Sequence, residues 1–269
     1  MDIGVVVRNM GTQSTREVMA GCARAAEDIG FESIWVVDHI AIPPDDAEGS
    51  GGRYLDILVA LGWLAGITER VKLGSGVLIL PYRTALPTAK QIATVQELSG
   101  NRLVVGVGIG WMDPEFQALG VDRHARGRVS DETLAFFHDC FAQDEVTANG
   151  QTFLFKPRPQ RPPFLIGGRA PYATERAAKY GDGWYPIART PADIANALPG
   201  YRALTEAAGK PAGQITASAR LPLDDPAESR DLLAEYRALG VDRLVCGLRY
   251  DTVDDYRAQL ELLKRAAED

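Results

Sequence analysis

Few residues in this chain could carry chemistry by themselves, and most of those stand at the ends of apolar runs. Histidine occurs only at 39, 124 and 138, and only His39 directly follows an acid, in Ile34-Trp35-Val36-Val37-Asp38-His39. Imidazole is the side chain most readily set to trade a proton near neutral pH. Asp38-His39 therefore reads either as a proton-handling pair or as an Asp-His cap on a strand end. His138 sits among Phe136, Phe137 and Phe141 and reads as a satisfied helix histidine. Three glycine-rich stretches could let backbone approach a ligand: Gly74-Ser75-Gly76-Val77, Gly106 to Trp111, and Gly167-Gly168-Arg169. Glycine within the first of these runs marks a bulge. The third precedes a helical stretch whose free amides and dipole would favour a phosphate, although such glycines are also common turn residues. Arg123, His124, Arg126 and Arg128 could meet an anion or pair with Asp122, Asp131 and Glu132. Arg220 and Arg249 could recognise an anionic substrate or simply form salt bridges.

These positions need elements to hold them. Strand-like runs are expected at Ile3–Val7, Ser33–Val37, Val71–Leu80, Leu103–Val107, Phe164–Ile166, Gly183–Ile187, Ile215–Ala219 and Leu244–Gly247. Helical stretches lie between them, at Ser14–Ile29, Tyr54–Thr68, Thr84–Leu98, Val129–Ala142, Tyr172–Tyr180, Thr190–Ala208, Ser229–Leu239 and Thr252–Ala267. The strands are near-continuous in Val, Ile and Leu rather than alternating, as expected where helices cover one face and other strands the other. Several helices open at Ser or Thr and close at Gly, as in Ser14…Gly30, Thr190…Gly209 and Ser229…Gly240. Eight strand–helix units in about 250 residues make a (β/α)8 barrel in one domain spanning 1–269. A doubly wound sheet lacks its G-x-G-x-x-G turn after the first strand, where the sequence is Val7-Arg8-Asn9-Met10-Gly11. The stretch 144–163 breaks the alternation: Asn149-Gly150 is a hairpin signal, and Pro157, Pro159, Pro162 and Pro163 stiffen an arm before the fifth barrel strand. In such a barrel chemistry lies on the loops past the strands' C-terminal ends, where Asp38, His39 and the glycine turns fall.

Composition narrows the function. The 269 residues are 46% hydrophobic and 24% charged, an ordinary globular balance that excludes a disordered or collagen-like chain. Net charge −7 gives nucleic acid no electrostatic purchase. The apolar run Leu55–Ile67 contains Asp56, so nothing approaches a membrane span, and the N-terminus carries no signal-peptide pattern. Cys22, Cys140 and Cys246 are scattered, forming neither a disulfide framework nor a metal cluster, which suits the cytoplasm. Cys246 reads as a small barrel-core residue. Three histidines support no His-based metal site.

Several motifs in register resemble the bacterial luciferase-like family of flavin- and deazaflavin-dependent oxidoreductases. They are Ala26 to His39, Arg70 to Val77, Ala89 to Thr94, Leu98-Ser99-Gly100-Asn101-Arg102, Gly106 to Trp111, Arg126-Gly127-Arg128, Ile166-Gly167-Gly168 and Gly181-Asp182-Gly183-Trp184, across nearly the whole chain. The resemblance implies an oxidoreductase in which His39 sits close to the reactive ring carbon and Asp38 near the cofactor. It implies a bulge with a non-prolyl cis peptide at Gly76-Val77 backing the ring. Phosphate and further cofactor contacts fall to Gly108, Ile109, Gly110, Arg126, Gly167, Gly168 and Arg169, with Trp111 and Trp184 as pocket walls. Coenzyme F420 is the expected cofactor, used for hydride transfer with a small organic substrate. Reduced FMN in a two-component monooxygenase is the alternative, and a non-catalytic flavin-binding barrel a second one. A homodimer, and a flavin or F420 reductase supplying reduced cofactor, also follow from the resemblance. Family members that oxidise a sugar phosphate place an acid just after the fourth-strand glycines. Here that place is Trp111, so the motif supplies His39 with no acid partner there and argues against that sugar substrate.

Overall fold

A computed structural model describes residues 1–187, 190–211 and 213–268. The strands are β1 (Asp2–Val6), β2 (Ser33–Val36), β3 (Lys72–Ile79), β4 (Leu103–Gly108), β5 (Glu145–Ala148), β6 (Gln151–Leu154), β7 (Phe164–Gly168), β8 (Gly183–Pro186), β9 (Gln214–Ala219) and β10 (Arg243–Cys246). The helices are α1 (Arg16–Ile29), α2 (Ile57–Ala65), α3 (Ala85–Leu98), α4 (Asp113–Ala118), α5 (Arg126–Ala142), α6 (Tyr172–Tyr180), α7 (Pro191–Ala207), α8 (Pro226–Ala238) and α9 (Val253–Glu268). Eight strands close into a parallel barrel in the order β1-β10-β9-β8-β7-β4-β3-β2. Every barrel strand coincides, within a residue or two at each end, with an apolar run expected from the sequence. β5 and β6 form the inserted hairpin, turning at Asn149 and Gly150, both with positive φ. None of the described helices is long and apolar enough to cross a membrane.

Local chemistry sets the helix ends. Thr15, not Ser14, caps α1 by accepting from the Val18 amide, and left-handed Gly30 closes it. Asp56 is the N-cap of α2, its carboxylate accepting from the Leu58 and Val59 amides. Thr190 and Asp193 form a capping box on α7. Asp225 caps α8, where Ser229 was expected; Pro226 at the first helical position favours the earlier start. His138 is satisfied, its Nε2 lying 2.8 Å from the Tyr180 carbonyl oxygen. The helix α4 is absent from the one-helix-per-strand scheme.

Two apolar layers hold the barrel. The larger runs between strands and helices and includes Val5, Ile34, Leu73, Val105, Ile166 and Cys246. The smaller takes Trp35, Val104, Leu165, Tyr185 and Val245 from five strands and fills the interior. Trp35 is the plug. A Cβ on Gly4 of β1 would come within 2.6 Å of its indole nitrogen, and one on Gly74 of β3 within 2.2 Å of its ring. Those glycines are therefore space for Trp35, so Gly74 serves the core rather than a ligand. Below the plug, Arg243 donates to both Glu32 oxygens at 2.7 and 2.9 Å, and Lys72 adds a third contact at 2.8 Å. Burial pushes the Glu32 carboxyl up, but Arg243 and then Lys72 outweigh it and hold it down to about 2.

Candidate active site

The barrel opens at the C-terminal ends of its strands into a cavity of about 470 Å³. That lies inside the roughly 300–1,000 Å³ span of small-molecule sites. A larger cavity of about 610 Å³ lies at the strands' opposite ends, lined by His138, Arg161 and Asp182. Its Arg161 and Asp182 are spent on each other through two 2.7 Å hydrogen bonds. In barrels of this kind that end stabilises the fold and the C-terminal end carries chemistry, so the 470 Å³ cavity is the candidate site.

Its wall holds His39, Asp38, Gly76, Val77, Gly108, Ile109, Gly110, Gly167 and Gly168, bringing together nine of the expected positions. Gly76–Val77 is a cis peptide, and the β3–β4 register shifts between Ser75 and Leu78. Val77 thereby projects across the neighbouring strands. A Cβ on Gly108 would come within 2.6 Å of it, and one on Gly167 within 3.0 Å. The glycines of β4 and β7 thus clear room first for Val77, which forms the cavity floor.

Arg126 and Arg169 are not brought there. Arg126 donates to the Arg123 carbonyl at the start of α5. Arg169 is exposed and lines a separate cavity with Trp184. Trp184 also departs from expectation: it packs on Tyr201 of α7 and donates to the Gly168 carbonyl at 3.0 Å, while its neighbour Tyr185 reaches the site. The period-2 alternation of β8 explains the exchange. The remaining basic cluster is largely spent locally, with Arg123 on Asp113 and Arg128 on Glu132, while Asp131 goes to Arg176.

His39 does have an acid partner, and it is Glu115 of α4. His39 Nδ1 lies 2.8 Å from Glu115 Oε2, with the His39 side chain 16% exposed and Glu115 fully buried. Glu115 Oε1 accepts from the Ile40 and Ala41 amides at 2.5 and 2.9 Å, and Oε2 also accepts from the Tyr82 hydroxyl at 2.9 Å. Four donors fill a carboxylate's roughly four lone-pair sites. Burial alone would raise this carboxyl, but the Ala41 and Ile40 amides, with His39 and Tyr82, hold it below the usual range. An ionised Glu115 can only accept, so Nδ1 carries the hydrogen and Nε2 is the imidazole nitrogen left to act. Tyr54 and Trp111 stand edge-on to the ring, with centroids at 5.1 and 6.3 Å.

Asp38 points the other way. Its carboxylate takes Arg83 bidentately at 2.6 and 2.9 Å and the Ile79 amide at 2.9 Å, and Arg83 also reaches Asp56. Asp38 lies in the cavity wall, but its oxygens brace the end of β3. One connection, Leu80 to Arg83, therefore supplies Tyr82 to Glu115 and Arg83 to Asp38, gripping Asp38 directly and His39 through Glu115.

Sequence reasoning missed Glu115, Tyr82, Arg83 and Tyr54. A signal for Glu115 existed. In Met112-Asp113-Pro114-Glu115, proline after an acid marks a helix start. Six residues of helix inside a loop are easily passed over when one helix per strand is sought.

The chain resembles known proteins in sequence and in fold. At 30% identity over 230 residues, 78% of this chain and 66% of the relative align with an F420-dependent glucose-6-phosphate dehydrogenase of Kineococcus radiotolerans. Among solved structures, an F420-dependent secondary alcohol dehydrogenase in complex with an F420–acetone adduct superposes with TM-score 0.84 at 16% identity, over 100% of this chain and 99% of that one. Monooxygenase RslO1 from Streptomyces bottropensis does so with TM-score 0.82 at 18% identity, over 99% and 98%. At such identities these two structures speak for the fold. The family model described as luciferase-like monooxygenase matches residues 1–268, and the chain belongs to that family of oxidoreductases and monooxygenases.

Proposed function

We propose that the protein is a coenzyme F420-dependent oxidoreductase moving a hydride to or from a small organic substrate, with His39 handling the accompanying proton. The observation that carries this is His39, held through Nδ1 by a buried, ionised Glu115 in the wall of an apolar cavity, its other nitrogen without a partner among the described residues. The residues present fit a tricyclic ring. The Gly76–Val77 backbone and the Val77 side chain offer a floor, Ile79 and Ile109 offer apolar walls, and aromatic edges flank His39. Beyond the ring, the Gly167–Gly168 turn leads to α6, whose N-terminus has no capping side chain and suits a phosphate. Asp38 is assigned to bracing this wall rather than to touching the ring.

Bound F420 supplies the hydride chemistry. The chain supplies position and proton traffic. His39 Nε2 takes the hydroxyl proton of an alcohol as it is oxidised, or returns one to a carbonyl oxygen as it is reduced. Glu115 keeps the ring in the tautomer that leaves Nε2 able to accept, and stabilises the imidazolium once it forms. Glu115 does not react itself, since its own acceptors are filled. His39 is the catalytic residue, and Glu115 a positioning residue.

The FMN-dependent monooxygenase reading is retained because the monooxygenase RslO1 shares the fold. Equilibrium titration of the purified protein with F420 and with FMN separates the two. F420 is expected to bind more tightly. Equal affinity, or tighter FMN binding, moves the assignment to the monooxygenase. The protein is further proposed to act in the cytoplasm as a homodimer, with a separate reductase supplying reduced cofactor.

A further inference from the structure

Past the ends of β9 and β10 the residues alternate between two environments. Leu221, Leu223, Leu248 and Tyr250 are buried in the core between barrel and helices. Arg220 and Arg249 fall on the opposite parity and are exposed. Together they line a cavity of about 560 Å³ whose apolar side is Leu221, Leu223 and Leu232. Among the described residues neither guanidinium has an ion-pair or hydrogen-bond partner. The salt bridges that their sequence also allowed are not formed.

This cavity and the one holding His39 both lie at the C-terminal end of β9. Ser218 of β9 lines the His39 cavity and Arg220, two residues on, lines this one, about 7 Å along the chain. On the neighbouring β1, the register of Val5 with Cys246 carries Arg8 to the level of Arg249. Among the described residues the buried Nε of Arg8 has no partner, while its Nη2 donates to the Gly49 carbonyl at 3.1 Å. Asp224 and Glu228 stand on the α8 side of the cavity. Their charge opposes a polyanion, whereas one compact anion could sit between the two guanidiniums.

We propose that Arg220 and Arg249 form an anion subsite for the substrate, which would be a small molecule with an apolar body and one carboxylate or phosphate group. The proposal rests on the reading of the His39 cavity as the active site: the reacting carbon lies beside His39 and the anionic end reaches over β9. The shared chemistry with an acidic cofactor tail makes that tail the competing source.

Ligand-observed NMR on the F420-loaded protein tests it, using hexanoate, hexyl phosphate and 1-hexanol as probes. In the wild type the two anions should bind about tenfold more tightly than the alcohol, as expected of two solvent-accessible charged contacts. In R220Q/R249Q that margin should vanish while F420 affinity and thermal stability stay unchanged. Equal binding of anions and alcohol by the wild type, or a margin that survives in the double variant, overturns the proposal. So does weaker F420 binding in the double variant with unchanged binding of the tail-less deazaflavin riboside, because the arginines then hold the cofactor tail. Failure of F420 to bind the wild type would overturn the cofactor assignment instead, and the anion margin would still be readable on the protein alone.

Discussion

Each end of the barrel surrounds a carboxylate with donors, half-buried at one end and fully buried at the other, and the two are used differently. At the N-terminal end Glu32 is closed off by Arg243 and Lys72 beneath Trp35, so charge meets charge and the Arg243 guanidinium also faces the indole, 5.8 Å from its centroid. At the C-terminal end Glu115 is equally well satisfied, but one of its four donors is an imidazole with a second nitrogen turned to a cavity. A buried network that ends on itself stabilises the fold. The same kind of network ending on one unspent titratable atom makes a site.

Breaking the open end should give the largest effect. His39→Ala should lower turnover by about 10²–10⁴-fold, the range for a lost acid–base group, while stability and cofactor affinity stay near wild type. Steady-state rates with a true substrate, beside cofactor titrations, check this. Undiminished turnover would reduce His39 to a strand cap.

The closed end should show itself in acid. Glu32 titrates at about 2 in the folded chain, against about 4.3 for an unperturbed glutamate. Its folded value is depressed, so its contribution is fully present above the unfolded value. The contribution is lost as pH falls from there through the folded value, about 3 kcal/mol in all. Urea unfolding of wild type and Glu32→Gln should therefore differ most above pH 5 and converge towards pH 2. A gap independent of pH would remove the ion pair from the account. The variant should leave cofactor binding unchanged.

The smallest effect sharpens the comparison. Glu115→Gln keeps the shape of the network but removes the charge that fixes the tautomer, and should lower kcat by about 10–100-fold with little change in cofactor affinity. A loss confined to cofactor affinity would make Glu115 a binding residue instead.

Much of the fold was legible because the apolar runs and caps obey local rules. Val, Ile and Leu runs marked most of the barrel strands, the Trp184-Tyr185 pair marked β8, and Asn149-Gly150 marked the hairpin. The site was legible only where it is local. Asp38-His39 and the glycine turns stood out, but their partners come from far along the chain: Glu115 is 76 residues from His39 and Tyr82 is 33 from Glu115. The glycines carry a second meaning, since Gly4 and Gly74 make room for Trp35, and Gly108 and Gly167 for Val77, on neighbouring strands, and that becomes visible only once strands pair. Arg126 and Arg169 stand outside the cavity wall, since closeness in sequence to a motif does not fix where a long side chain lies.

The most direct test of the difference between the two ends is the state of the His39 ring nitrogens, read by ¹⁵N NMR and assigned with His39→Gln. The account predicts a hydrogen on Nδ1, held by Glu115, and an Nε2 signal that shifts when cofactor fills the cavity. A neutral ring protonated at Nε2, or a ring indifferent to the cofactor, would contradict it.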